Sequence, residues 1–223
     1  MQRNAIWLSV AAVAVSAALA IVGAEADGLR VLHYLFKPLT TLLVAAMVWR
    51  TAAKEHGYRR AVLAGLLLSL LGDVFLMLPG DWFAFGLGSF LLAHLCYLRA
   101  LRLRGEWLRP IWPVLVYGVI AAAVLAYLWP HLPAELKIPV VVYVVALAGM
   151  AAQAACIWRQ RPDGAALLAA AGGACFVLSD ALLAIDRFAM AIPLASVWVL
   201  LGYWAAQWLI GASVMPVTDT SRN

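Results

Sequence analysis

Apolar and polar positions divide the chain into eight apolar runs, at roughly 5–24, 31–49, 60–79, 83–101, 108–129, 136–158, 164–186 and 192–215, parted by short polar links. Each run is close to the length of about 20 mostly apolar residues that a helix needs to cross the hydrocarbon layer. Alternation with a period of two is absent, and Ala and Leu dominate, so the pattern predicts helices and not the strands of an outer-membrane barrel. The links are too short to hold a second soluble unit. The expected fold is all-α, a polytopic membrane bundle of eight transmembrane helices in a single domain over 1–223.

Composition narrows the choice. Hydrophobic residues make up 66% of the chain and charged residues 12%, against about 45–50% and about 25% in a soluble domain. A globule of 24.0 kDa cannot hide that excess. A soluble enzyme, a disordered chain and a nucleic-acid binder are therefore poor fits. The net charge of +5 does not favour nucleic acid, because the basic residues sit in short clusters between apolar runs. The expected setting is a cell membrane, in a bacterium the inner one, and the expected surroundings are lipid. Trp7, Trp49, Trp82, Trp107, Trp112, Trp129 and Trp158 stand near run ends, as in an interfacial aromatic belt.

Lys and Arg set the expected orientation. Arg3, Arg50, Lys54, Arg59, Arg60, Arg99, Arg102, Arg104, Arg109, Arg159, Arg161 and Arg222 fall on the side that holds both termini, twelve of the sixteen basic residues. The other side holds Arg30, Lys137 and Arg187. The positive-inside rule then places both termini in the cytoplasm. Arg3, the stretch from Ala5 to Val22 and Ala24-Glu25-Ala26 also fit a secretory leader with a cleavage site. That stretch is longer than a usual leader core and is read as a span. Its removal would leave seven spans with unchanged orientation.

Three charged residues, Lys37, Asp73 and Asp180, fall well inside a run. Each costs at least about 2.5–3.5 kcal/mol on insertion scales, so each calls for an explanation. Lys37 lies six residues beyond the start of the second run, Asp73 six before Pro79, and Asp180 six before Asp186. At about 1.5 Å per residue, all three sit about 9 Å below one boundary. Charges from three helices at one level are expected to meet in one cavity. A buried ion pair that only holds the bundle together is the plainer reading. Charge balance favours a site, because one ammonium cannot neutralise two carboxylates. A carboxylic acid beside a carboxylate is an arrangement suited to acid–base chemistry.

Neighbouring faces add polar groups. Gly65, Ser69 and Asp73 share one helical face, as do Gly172, Phe176 and Asp180. Gly86, Phe90, His94 and Tyr97 form a third, and Tyr203, Gln207 and Gly211 a fourth. The glycines are explained by close helix approach. His94, Tyr203 and Gln207 lie nearer the middle and either extend the polar cavity or bond across helices. No metal or cofactor is expected. His56 reads as part of an inner loop, His131 of an outer one, and His33 lies near a helix end, which leaves His94 alone in the interior. Lys37 would oppose a hard cation at the carboxylates. Cys96, Cys156 and Cys175 have no metal spacing and read as small buried residues. A weak echo joins LLGDVFLML to FVLSDALLAI, each with Asp late in the helix and a phenylalanine, Phe83 or Phe188, beyond it.

FKPLTTLL (36–43), LLGDVFLML (70–78), FGLGSFLLAHLCYL (85–98), FVLSDALLAI with Phe188, and YWAAQWLI (203–210) together resemble the YhhN/lysoplasmalogenase family of multipass membrane proteins. They cover most of the chain in family order and leave the first, fifth and sixth helices unspecific. The resemblance implies an eight-helix ether hydrolase that cleaves the vinyl ether bond of lysoplasmalogens, in lipid metabolism. The products are a fatty aldehyde and glycerophosphoethanolamine or glycerophosphocholine. Asp73 and Asp180 would then be catalytic. Lys37, His94, Tyr97, Tyr203 and Gln207 would support them or bind substrate.

Other functions could use the same residues. An intramembrane aspartyl protease needs two buried aspartates, but the usual GxGD and YD patterns read Leu70-Leu71-Gly72-Asp73 and Ser179-Asp180 here. A proton-coupled transporter could use Lys37, Asp73 and Asp180 as a relay, although the prolines lie near helix ends. A non-catalytic lipid-binding protein is the remaining alternative.

Overall fold

Hydrophobic runs of this length form helices because only a helix satisfies every backbone group within its own segment. The computed structural model describes residues 2–26 and 28–215, with side chains from residue 9 onward. Its helices are α1 (Gln2–Glu25), α2 (Arg30–Arg50), α3 (His56–Met77), α4 (Phe83–Arg102), α5 (Trp112–Leu128), α6 (Ala134–Gln160), α7 (Gly164–Phe188) and α8 (Ala195–Ala212). A short 3-10 turn, Trp129–His131, follows α5. Among the described residues there is no strand, and seven helical spans are long and apolar enough to cross a membrane: α2 to α4, α5 continued by the 3-10 turn to His131, and α6 to α8. In α1 the described apolar part is Ser9–Glu25. The side chains of Arg3 and Trp7, and Arg222 altogether, lie outside the described residues.

Local chemistry moves several ends away from the expected spans. Helix α3 starts earlier, at His56, so that histidine is the first helical residue and not part of a loop. Helix α5 starts at Trp112 and not 108, because Leu108 has φ 48 and Pro110 follows shortly. Pro113 then sits in the first turn, where its missing N–H costs nothing. Helix α8 starts at Ala195 after Pro193, with Leu194 held at φ 56. Helix α7 is capped by Asp163, whose side chain accepts from Ala166 N at 2.8 Å.

Helix pairs α3–α4 and α7–α8 pack most extensively, followed by α1–α2 and α6–α7. Across the molecule α2 meets α8 and α4 meets α6. The second helix of each four-helix half thus touches the fourth helix of the other. Small residues allow this closeness. A Cβ on Gly72 would lie 2.6 Å from Phe90 Cε2, and one on Gly172 would lie 2.8 Å from Ile210 Cγ1. Two buried or half-buried glutamines of α6 fasten the link between α4 and α5. Gln153 accepts from Leu108 N at 2.7 Å and donates to Glu106 O at 3.0 Å, and Gln160 accepts from Glu106 N at 2.8 Å.

The outer surface is apolar, as lipid contact requires. Val119, Ile138, Val145 and Leu178 are all exposed. Trp49, Trp82, Trp107, Trp112 and Trp129 are exposed near helix ends, and Trp158 is half-buried. Helix α5 buries only Pro113 and Leu128, so most of its length faces lipid or an internal cavity.

Candidate active site

Asp73 is carried by α3, one helical turn beyond Ser69, and is buried, with its side chain 2% exposed. Lys37 of α2 brings Nζ to 3.9 Å from Asp73 Oδ1. This is an ion pair at the edge of contact and not a close hydrogen bond. On the other oxygen, Oδ2 accepts from Thr41 Oγ1 at 2.8 Å and from Tyr203 OH at 2.7 Å. Thr41 lies four residues beyond Lys37, on the same face of α2, which explains how one helix delivers both groups. Tyr203 comes from α8.

Asp180, on α7, is more open, with its side chain 14% exposed. Its Oδ2 accepts a short hydrogen bond from Tyr143 OH of α6. Behind Tyr143 lies His94 of α4, wholly buried, with Nε2 3.0 Å from the tyrosine oxygen and 3.8 Å from Asp180 Oδ2. The imidazole stands edge-on to Phe176, with ring centroids 4.6 Å apart. Its other nitrogen, Nδ1, is buried without a hydrogen-bond partner.

Both carboxyl groups and Lys37 line one cavity, which encloses about 1120 Å³ of empty space including its open mouth. Tyr117, Tyr143, Ser179 and Tyr203 add hydroxyl groups to its wall. The rest is apolar: Leu87 and Phe90 of α4, Ile120 and Val124 of α5, Leu147 of α6 and Ala184 of α7 are among the lining residues. Phe83 and Phe188 also line it, their rings edge to face at 5.4 Å. The shape is a greasy slot with a small polar patch on its wall, as a single-chain lipid would need.

The residues singled out from the sequence thus divide into two groups. Lys37, Asp73, Asp180 and Tyr203 come together at the cavity wall. Tyr97 and Gln207 are buried and bond to each other, Tyr97 OH donating to Gln207 Oε1 at 2.6 Å, and neither lines the cavity. His94 does not line the cavity; it bonds Tyr143 and stands 3.8 Å from Asp180 Oδ2. Two further side chains were not singled out, Tyr143 and Thr41. Thr41 stands within FKPLTTLL, four residues after Lys37, and that spacing was the available signal. Tyr143 stands in an unbroken apolar run and carries no such signal. Among the described residues no group of three or more His, Cys, Asp or Glu is placed to hold a metal ion.

Comparison with known proteins gives a consistent picture. The model of the YhhN family matches residues 32–214. The chain is 37% identical over 198 residues to the lysoplasmalogenase of Mycobacterium bovis, covering 85% of this chain and 73% of that one. It is 32% identical over 190 residues to the human lysoplasmalogenase TMEM86B, covering 83% and 77%. It is also 34% identical over 149 residues to the uncharacterized membrane protein YhhN of Escherichia coli, covering 66% and 70%. No solved structure matches the chain.

Proposed function

The chain belongs to the YhhN family of multipass membrane proteins, and on that premise we propose that it is a lysoplasmalogenase, a hydrolase of the vinyl ether bond, with Asp73 and Asp180 as its acid–base pair. The observation that carries the proposal is two membrane-embedded carboxyl groups on the wall of one apolar cavity. An alkenyl chain would lie along the apolar lining, with the vinyl ether at the level of the two aspartates. The basic links lie at the opposite end of the helices from Phe83 and Phe188, so the substrate would enter from the outer leaflet.

The reaction follows from what two carboxyl groups can do. One carboxylic acid transfers its proton to the β-carbon of the alkene, and the π electrons form the new C–H bond. An oxocarbenium ion results, with positive charge shared between the ether oxygen and the adjacent carbon. The other carboxylate stabilises that charge, as in glycosidases. Water then adds to the charged carbon and gives a proton to a carboxylate. The hemiacetal then gives its hydroxyl proton to a carboxylate as the C=O bond forms, its C–O bond to the glycerol oxygen breaks, and that oxygen takes up a proton from the other carboxyl group as the alcohol. In sum, one lysoplasmalogen and one water give one aldehyde and one glycerophospho-alcohol. Lys37 faces Asp73 with its charge and Tyr203 donates a hydrogen bond to it, while Tyr97 and Gln207 brace the polar region from behind.

The test uses purified protein, lysoplasmalogen, and direct measurement of released aldehyde. Asp73→Asn and Asp180→Asn are each expected to abolish release while the protein stays folded. A 1-acyl lysophospholipid of the same head group is expected to give no aldehyde. Full activity in either aspartate variant would refute the proposal.

A further inference from the structure

We infer that Tyr143, with its hydroxyl oriented by His94, is a positioning residue that holds Asp180 as the proton donor of the pair. This rests on the hydrolase reading above. A tyrosine hydroxyl has one hydrogen, and here it is spent on Asp180 Oδ2. At the same tyrosine oxygen His94 Nε2, 3.0 Å away, must therefore donate. The neutral imidazole then carries its hydrogen on Nε2 and none on Nδ1. This fits the surroundings, because Nδ1 is buried without a hydrogen-bond partner on a ring packed against Phe176. A hydrogen on Nδ1 would be a buried donor left unmade. The chain of hydrogen bonds thus runs in one direction, from His94 through Tyr143 to Asp180.

This direction fixes the protonation geometry of the carboxyl group. Oδ2 is an acceptor, so the transferable proton of Asp180 belongs on Oδ1. Asp73 contrasts with it, having Lys37 at Oδ1 and two hydroxyl donors at Oδ2, an arrangement suited to an anion. In the step, the proton leaves Asp180 Oδ1 for the β-carbon, and the electron pair of the broken O–H bond stays on Asp180 as its new carboxylate charge. The hydrogen bond from Tyr143 strengthens as that charge develops. It is therefore worth more in the transition state than in the bound substrate, and its loss falls on kcat and not on KM.

Steady-state aldehyde release from lysoplasmalogen tests this with Tyr143→Phe, His94→Leu, His94→Gln and the Tyr143→Phe/His94→Leu pair, in variants that elute from gel filtration as the parent does. Tyr143→Phe is expected to lower kcat about 100-fold, the effect of removing one donor to a developing charge, with KM within about twofold. The double variant is expected to be no slower than Tyr143→Phe alone, because His94 acts through the tyrosine. His94→Gln, which keeps an N–H near the Nε2 position, is expected to recover most of the activity lost in His94→Leu. The solvent deuterium effect on kcat in Tyr143→Phe is expected to be at least as large as in the parent. Multiplicative losses in the double variant, a loss confined to KM, or a smaller isotope effect would each overturn the inference. Equal activity in the two His94 variants would overturn it as well, without any change to Tyr143. If the parent protein releases no aldehyde, or if Asp180→Asn remains active, the hydrolase reading itself fails. An active, aspartate-dependent parent with an indifferent Tyr143→Phe defeats only the inference made here.

Discussion

Asp73 and Asp180 occupy matching places on two similar helices, α3 and α7, and each takes a hydroxyl from the second helix of its own half. For Asp73 that group is Thr41 of α2, and for Asp180 it is Tyr143 of α6. Each is also approached from the fourth helix of the other half, by Tyr203 in one case and His94 in the other. The correspondence ends at charge and exposure. Asp73 has a cation and is 2% exposed, while Asp180 has no lysine opposite it and is 14% exposed to the cavity side. Two corresponding helices thus hold their carboxyl groups in different surroundings, one beside a lysine and the other beside a histidine and a tyrosine. A buried cation faces one carboxyl group and not the other, the kind of difference in surroundings that separates the roles of two acids.

The two sides are therefore expected to respond differently to loss of a partner. The largest stability effect is expected from Lys37→Met, which leaves the Asp73 carboxylate buried without its cation, at a cost of about 3–5 kcal/mol. Thermal unfolding in detergent reads it, and adding Asp73→Asn to Lys37→Met is expected to restore much of the loss. An equal loss in the single and double variants would break the comparison. Tyr203→Phe removes one donor to the same carboxylate and is expected to cost about 1–2 kcal/mol by the same measurement. Thr41→Val keeps the shape, removes the other donor, and is expected to cost about 0.6–1 kcal/mol. The smallest effect is expected from Asp180→Asn, within about 0.5 kcal/mol of the parent, although aldehyde release is lost. A destabilisation by Asp180→Asn as large as that of Lys37→Met would mean that Asp180 is also held as a buried ion.

The bundle was legible in the sequence because crossing a bilayer demands long apolar runs, and little else satisfies that demand. Helix ends were less legible, since they depend on particular residues such as Pro110 and Pro113 at α5 or Leu194 at α8. Within the site, Lys37, Asp73 and Asp180 stood out because a charge among apolar neighbours is costly and conspicuous. Thr41 and Tyr143 were not conspicuous, since a hydroxyl in a helix can bond its own backbone and carries no such penalty. The same holds for the contrast between Tyr203 at the cavity wall and Gln207 behind it. These residues are four apart on one face, and only the packing of α8 against its neighbours separates their surroundings.

The bond from Tyr203 to Asp73 spans 130 residues. Both His94 and Tyr143, the polar neighbours of Asp180, precede it in the chain, so its surroundings already exist when it is made. Asp73 emerges with Lys37 and Thr41 behind it but must wait for α8. At ordinary rates of synthesis that wait lasts about ten seconds. Of the side chains around Asp73, Lys37 and Thr41 are thus the ones already made when α3 is complete, and Tyr203 is the one that completes the set.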